Sequence, residues 1–209
     1  MSIREISPVY PQASMQEQQL SVDFSHNDTV FPLTVWGDPA IWTNVTGGSP
    51  SLALLSSSRV PASILLQIHD WARHWRQHGP IVISGFQSET ENEALQVLLG
   101  GVQPVVLVLA RGMLKRLRPE YRQPVEEGRL LLVSPFPDSV QWVSAENAQV
   151  RNRLVCALAD EVLIAHAESR SKTEALAQEI TGWSKPLWTV EHSANRNLQA
   201  MGFETYRAQ

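Results

Sequence analysis

The chain has 209 residues, 43% of them hydrophobic, and a formal net charge of −4, so it can bury one sizeable core and favours one main domain. Its single cysteine, Cys156, excludes an internal disulfide and does not indicate a metal cluster. No apolar run comes near the length of about 18 residues that is needed to cross a bilayer, and the N-terminus has no signal-peptide pattern. We therefore expect a cytoplasmic protein without membrane contact.

Polar, irregular residues open the chain and predict an N-terminal arm over 1–30, followed by a single domain over 31–209. Residues 31–38 predict a short strand that ends in a Gly-Asp turn. After a Gly-Gly-Ser-Pro loop, short apolar runs predict strands, and runs with helical spacing of apolar residues predict helices. The predicted strands are 52–56, 81–83, 105–110, 130–133, 161–165 and 186–190, and the predicted helices are 61–79, 90–99, 145–159 and 171–181.

The predicted strands are apolar at every position, which is typical of parallel strands covered by helices on both faces. Their alternation with helices predicts an α/β fold with a doubly wound, mostly parallel, Rossmann-like sheet flanked by helices. In such a sheet, ligands bind in the crevice beyond the carboxyl ends of the strands. Residues that directly follow a strand are therefore the candidate site residues.

The first candidates, Ser57, Ser58 and Arg59, lie between the strand 52–56 and its helix. Hydroxyl and backbone N–H groups at a helix N-terminus suit a phosphate, and an arginine adds a bidentate partner. In the alternative interpretation, Ser58 only caps the helix and Arg59 lies in solvent.

The turn after the strand 81–83 supplies two further candidates, Ser84 and Gly85. Glycine permits a left-handed backbone or the close approach of another group. Ser88 with Glu91, or Thr90 with Glu93, has the spacing of a capping box. The acidic residues at this helix start complement the helix dipole but repel a phosphate, and catalysis by paired carboxylates stays open as an alternative.

The segment 111–122, together with Arg129, holds six of the 17 basic residues of the chain and follows the strand 105–110. A concentrated basic loop on a mildly acidic protein indicates an anionic partner. Its candidate site residues are Arg111 and Gly112. The alternative is an exposed turn whose charge is balanced by nearby glutamates.

Two more segments carry candidates. Arg151, Asn152 and Arg153 lie early in the helix 145–159, and at most one of the two arginines is expected to face a site. His166 follows the strand 161–165 and is either a site residue or a structural histidine. The hydroxyl-rich stretch that follows, with Arg170 and Ser171, suits an anion at a helix start.

No HExxH, CxxC or GxSxG motif occurs, and no Ser–His–Asp set can be assembled by spacing. We therefore predict no catalytic residue, no metal ligand and no cofactor.

Residues 31–192 resemble the DNA-processing protein A (DprA/Smf) family. The family's G-S-R looks like 57–59, its S-G-L-A-R-G-I-D turn like 84–91, its G-C-G-L turn like 110–113, its S-E-F-P like 134–137, its F-P-x-R-N-R-I-I-A-G-L-S segment like 150–159, and its E-A-x-x-R-S-G-S stretch like 166–173. The chain departs from these motifs at four positions: Ser57, Glu89 and Lys172 stand where the family has glycine, and Ser88 stands where it has arginine. The changes at Ser88 and Glu89 lower the positive potential of the site.

The resemblance implies a non-enzymatic domain that binds single-stranded DNA or a nucleotide in DNA processing or recombination, forms a homodimer and meets a recombinase-type protein partner. Two alternatives stay open. The first is a nucleotide-metabolising enzyme of a related Rossmann family that uses Glu91 or Glu168. The second is an interaction module whose ligand site has decayed.

Overall fold

The computed structural model describes residues 4–5, 18–24 and 29–208. The strands are β1 Arg4–Glu5, β2 Gln18–Phe24, β3 Thr29–Trp36, β4 Ser51–Ser56, β5 Ile81–Ser84, β6 Val105–Val108, β7 Leu130–Ser134, β8 Glu161–His166, β9 Leu187–Thr189 and β10 Glu204–Thr205. The helices are α1 Pro39–Thr46, α2 Ala62–His78, α3 Glu89–Leu99, α4 Pro119–Glu126, α5 Ala145–Leu158, α6 Lys172–Ile180 and α7 Arg196–Ala200, with one 3-10 turn at Ser193–Asn195.

All of these strands belong to one sheet in the order β1-β2-β3-β7-β6-β5-β4-β8-β9-β10. The seven strands from β7 to β10 in this order are parallel to one another, whereas β1, β2 and β3 add an antiparallel extension beside β7. The chain runs outward from β4 through β5, β6 and β7, and then returns to place β8 on the other side of β4. The crevice where this reversal occurs is the expected position of a ligand site.

Helices cover both faces of the parallel sheet. Along β4, Leu52 and Leu54 contact the layer formed by α2, α3 and α4, whereas Ala53 and Leu55 contact the layer that contains α1, α5, α6 and α7. Successive side chains of a strand point to opposite faces, so a strand between two helical layers has to be apolar at every position. The sequence-based prediction of a doubly wound, mostly parallel α/β fold is confirmed.

Three helices that the apolar pattern did not predict are present: the five-residue α7, and the longer α1 and α4. Both α1 and α4 begin with a proline in the first turn, and Asp38 accepts the N–H of Ala40 at the start of α1. Both have only eight residues, and α4 contains a second, internal proline at Pro124. Too few apolar positions repeat in such short helices to show a period, although an Asp-Pro pair is a recognised helix start.

The helix α2 begins at Ala62 with Pro61 in the capping position, so the alternative in which Ser58 caps this helix is wrong. Ser58 is exposed in the loop that precedes the helix. By contrast, Ser88 caps α3 and Ser171 caps α6 through side-chain hydrogen bonds, as the capping-box spacing predicts.

The predicted N-terminal arm, 1–30, contains β1, β2 and the first residues of β3, and its other residues lie outside the described ones. The domain boundary after residue 30 stays a prediction. Among the described residues, no helix is both long and apolar enough to cross a membrane.

Candidate ligand-binding cleft

A cleft of about 550 Å³ lies beyond the carboxyl ends of β4, β5 and β8. Its walls are the loops that follow these three strands and one side of α5. Five of the predicted site residues line it: Ser57, Ser58, Arg151, Asn152 and Ser171. The volume falls within the range of about 300–1,000 Å³ that is usual for small-molecule sites.

Arg151 is the most deeply placed cation of the cleft. Its side chain reaches from α5 to the turn after β5 and is only 2% exposed. One terminal nitrogen, Nη1, donates to the carbonyl of Val108 at 3.2 Å, and Nη2 donates to Oε1 of Gln87 at 2.7 Å. Nε has no hydrogen-bond partner among the residues that the structure describes. Burial lowers the pKa of Arg151 and the nearby Glu91 carboxylate raises it, but an arginine side chain stays protonated in proteins.

Gly85 makes room for this guanidinium. A Cβ atom built on Gly85 would lie 1.2 Å from Nη1 and 1.8 Å from Cζ of Arg151. The group therefore lies against the bare Cα, and only glycine leaves the space that it occupies. The sequence pointed to close approach at Gly85, and the approaching group is a side chain of the same protein.

Glu91 closes the inner end of the cleft. Its two carboxylate oxygens accept the backbone N–H groups of Ser56 at 2.9 Å and Gln87 at 3.0 Å. These donors belong to the ends of β4 and β5, so one buried carboxylate ties two loops to α3. In the crevice of a doubly wound sheet, such N–H groups are positioned to bind an anion, and here the protein supplies that anion itself.

The outer wall consists of hydroxyl groups and the N-terminus of α6. Ser57 Oγ accepts the N–H of Glu168 at 3.0 Å and lies 3.3 Å from Ser171 Oγ. Ser171 Oγ in turn caps α6 by accepting the N–H of Glu174 at 3.1 Å. Lys172 and Thr173, in the first turn of α6, also line the cleft. This wall therefore combines hydroxyls, a lysine and the positive end of a helix dipole.

Other predicted site residues have structural contacts away from the cleft wall. Arg153 points to α6, where Nε donates to both oxygens of Glu179 at 2.9 and 2.8 Å. His166 is buried, and its Nδ1 lies 2.7 Å from Oδ1 of Asn195. Ser84 is fully buried, and its Oγ accepts the N–H of Phe86 at 3.1 Å.

Arg59 and Arg170 are exposed and do not line the cleft. Arg170 has a positive φ of 60°, and its backbone N–H donates to Glu174 at 2.6 Å. Together with a stronger hydrogen bond from Asn197, this contact lowers the pKa of Glu174. Of the candidate arginines Arg59, Arg151 and Arg170, the structure places only Arg151 in the wall of the cleft.

Arg111 and Gly112 follow β6 and lie outside this cleft. The carbonyl of Arg111 accepts a hydrogen bond from Ser134 Oγ at 2.7 Å, and the N–H of Gly112 donates to Val140 at 2.8 Å. These bonds tie the start of the basic segment to the loop after β7. The last residues of that segment, from Pro119, belong to α4 rather than to a loop.

Two of the cleft residues that sequence reasoning left out of the site are Gln87 and Lys172. The capping-box spacing of Ser171 and Glu174 already places Lys172 in a first helical turn, so a signal for it existed. Gln87 carries no charge and no nucleophilic or metal-binding group, so its side-chain chemistry gave no signal. Within the described ranges, no group of three or more histidine, cysteine or acidic side chains is arranged to hold a metal ion.

A larger cleft, of about 740 Å³, lies at the opposite edge of the sheet, beside Trp75, Trp188 and Tyr206. It faces the amino ends of β4 and β8, and aromatic rings form much of its wall. Size alone does not select a site. The smaller cleft lies at the reversal of strand order and contains the buried cation and a helix N-terminus, so it is the candidate site.

A family model described as DNA recombination-mediator protein A matches residues 16–205. No curated protein sequence matches the chain.

Several solved structures resemble the fold. DNA processing protein A from Helicobacter pylori, studied for its single-stranded DNA binding mode, has a TM-score of 0.69 at 20% identity, over 85% of this chain and 83% of that one. DNA processing protein A from Streptococcus pneumoniae has a TM-score of 0.67 at 14% identity, over 84% of this chain and 62% of that one. The Moco carrier protein of Chlamydomonas reinhardtii has a TM-score of 0.52 at 11% identity, over 76% of this chain and 88% of that one. At these identities the similarity concerns the fold alone.

Proposed function

Because the chain belongs to the DNA recombination-mediator protein A family, we propose that its carboxyl-edge cleft binds one nucleotide unit of single-stranded DNA as part of DNA processing or recombination. The similar protein from H. pylori is described as binding single-stranded DNA. In this proposal the protein binds the strand without transforming it, and a free nucleotide is the smallest ligand that fits the same contacts.

One observation carries the proposal: a buried cation faces the cleft without a direct ion pair. Among the described residues, no carboxylate oxygen lies within 4.0 Å of a side-chain nitrogen of Arg151, and its two hydrogen bonds go to neutral carbonyl oxygens. Glu91 acts on this charge only from a longer distance, and a buried charge without a directly paired counter-charge is unfavourable. A phosphate in the cleft would supply that charge and form charge-assisted hydrogen bonds.

The N-terminus of α6 would hold the same phosphate from the other side. Lys172 adds a positive charge, and Thr173 and Ser171 add hydroxyl groups. The first N–H groups of a helix have no partner within the helix, and the helix dipole favours a negative charge at that end. A phosphodiester would therefore lie between α5 and α6, with its sugar and base directed out of the cleft.

Binding is tested by fluorescence polarisation with a labelled oligodeoxythymidylate at low salt and then over a salt series. We expect the affinity to fall as salt rises, with a slope of about −0.7 in log K against log salt for each phosphate contacted. Lys172→Gln should weaken binding about two- to fivefold and reduce the slope by about one phosphate.

Arg73→Gln is the matched control, because it removes the same charge from an exposed position of α2, away from the cleft residues. We expect it to leave affinity and slope almost unchanged. No binding by the wild-type protein at low salt would refute the proposal and favour an interaction module without a ligand. Equal losses in the two variants would place the DNA elsewhere on the protein.

We also infer a homodimer and contact with a recombinase-type protein, both on the basis of the family to which the chain belongs. Light scattering coupled to size-exclusion chromatography measures the first, and a monomer at working concentration would contradict it. A pull-down with purified recombinase, with and without single-stranded DNA, tests the second.

A further inference from the structure

The side chain of Gln87 covers the cation of the candidate site. Gln87 lies in the turn between β5 and α3, is exposed, and lines the cleft. Its amide oxygen accepts a hydrogen bond from Nη2 of Arg151 at 2.7 Å. The guanidinium is thus held between Gly85 on one side and an exposed, neutral side chain on the other.

This contact satisfies the geometry of the guanidinium but not its charge. An amide oxygen carries only a partial negative charge, whereas a phosphate oxygen carries a formal one, so the bond from the guanidinium to phosphate has a charge on both partners and is stronger. An arginine fork also matches two oxygens of one phosphate. A phosphate that reached Arg151 would therefore replace the Gln87 amide with a better partner.

The Gln87 side chain can leave without a rearrangement of the turn. The backbone N–H of Gln87 is bonded to Glu91, and the preceding Phe86 is 5% exposed, with its own N–H bonded to Ser84 Oγ. These contacts hold the backbone while the exposed amide remains free to rotate. Rotation about the side-chain torsions of an exposed residue takes picoseconds to nanoseconds.

We propose that Gln87 is a gate over Arg151: its amide occupies the guanidinium in the free protein, and the phosphate of the ligand has to displace it to enter the inner part of the cleft. The gate lowers the affinity of every anion that takes Arg151 by the same factor. Binding then needs the additional contacts of the outer wall at Lys172 and Ser171. This inference rests on the proposed function, because it assigns a mechanism of entry to the same site.

Gln87→Ala removes the gate and leaves the charge of the protein unchanged. We expect it to bind labelled oligodeoxythymidylate about three- to tenfold more tightly than the wild type, since the ligand no longer breaks a hydrogen bond to a charged group. Gln96→Ala, the same change at an exposed position of α3, is the control and should leave affinity unchanged. Weaker or unchanged binding by Gln87→Ala, with wild-type binding intact, overturns the gate alone.

A second measurement does not depend on DNA. Phenylglyoxal modifies accessible arginines, and peptide mass spectrometry of the full chain reports the modification rate at each position. We expect Arg151 to react slowly in the wild type and several-fold faster in Gln87→Ala, with exposed Arg73 as the internal reference in both. Equal protection of Arg151 in the two proteins overturns the gate. If neither protein binds DNA, the proposed function fails, and the role of Gln87 as a gate for DNA fails with it. Faster labelling of Arg151 in Gln87→Ala would in that case still show that Gln87 covers Arg151.

Discussion

Arg151 shows how a single charged residue is accommodated inside this protein. Its guanidinium is 2% exposed, yet the cleft beside it is open to solvent on the outer side. The charge is tolerated because two carbonyl oxygens accept hydrogen bonds from it and because Glu91 lies near enough to act on it electrostatically. Such an arrangement is less favourable than a closed ion pair, and sites of this kind are often functional.

Gly85→Ala tests the close packing of this guanidinium. The new methyl group would overlap Nη1 and Cζ of Arg151, so the side chain has to move or the turn has to shift. We expect the free energy of unfolding to fall by about 1–3 kcal/mol or more, as for other overpacked sites, measured by urea denaturation. Gly182→Ala is the control, because its Cβ would approach other atoms no closer than 3.9 Å. Equal stability of the two variants would show that the Arg151 side chain leaves this space at no cost, which contradicts the expected close packing.

At the scale of elements, α3 fixes the floor of the cleft through its first turn. Ser88 accepts the N–H of Glu91 at 3.2 Å, and the Glu91 side chain reaches back to the N–H groups of Ser56 and Gln87. In a usual capping box, the glutamate accepts the N–H of the capping residue itself. Here Glu91 accepts the N–H of Gln87, one residue before the cap Ser88, and also the N–H of Ser56 at the end of β4. One helix start thereby sets the relative positions of two loops.

Glu91→Gln removes one of these two acceptors while nearly keeping the size of the side chain. An amide has a single oxygen, so one buried N–H group loses its partner, which costs about 1–3 kcal/mol. We expect the free energy of unfolding to fall by this amount. Glu93→Gln, at an exposed position of the same helix, should change it by less than about 0.5 kcal/mol. Similar values for the two variants, from chemical denaturation, would contradict the tie between α3 and the two loops.

At the scale of the whole molecule, the sheet is buried between two helical layers and Cys156 lies in one of them. Its side chain is fully buried on α5, the helix that also carries Arg151. Burial raises the pKa of the Cys156 thiol to about 12. While the fold is intact, this thiol, the single one of the chain, is therefore protected twice: reagents cannot reach it, and it stays in the unreactive protonated form.

We expect the thiol to react with Ellman's reagent at neutral pH only through unfolding. The reaction rate as a function of urea should follow the loss of helical circular dichroism, because the thiolate is the reactive form and the native state suppresses it. The raised pKa of Cys156 also makes the stability of the fold depend on pH. Above the unfolded pKa of about 8.5, the thiol of the unfolded chain loses its proton while the folded one keeps it. The free energy of unfolding therefore falls as the pH rises beyond that value. Rapid reaction in the absence of urea would contradict the placement of Cys156 in the core.

The repeating pattern of apolar residues was sufficient to predict the parallel sheet and its two helical layers, whereas ligand binding at the carboxyl edge stays a prediction. These features follow from the sequence because each depends on neighbouring residues: strands buried on both faces are apolar throughout, and longer helices show their period over several turns. The two short helices with prolines, α1 and α4, were missed because eight residues are too few to establish that period.

The partners of each polar side chain could not be obtained in the same way. Arg151 and Arg153 are two positions apart on one helix, but α5 directs the first toward the cleft and the second toward Glu179 on α6. His166 follows a strand like the site residues, but it pairs with Asn195, 29 positions further along the chain. Gln87 meets Arg151 across 64 positions. Such contacts depend on the strand order and on the angle at which each helix crosses the sheet, which are set when the whole chain packs and leave no local pattern in the sequence.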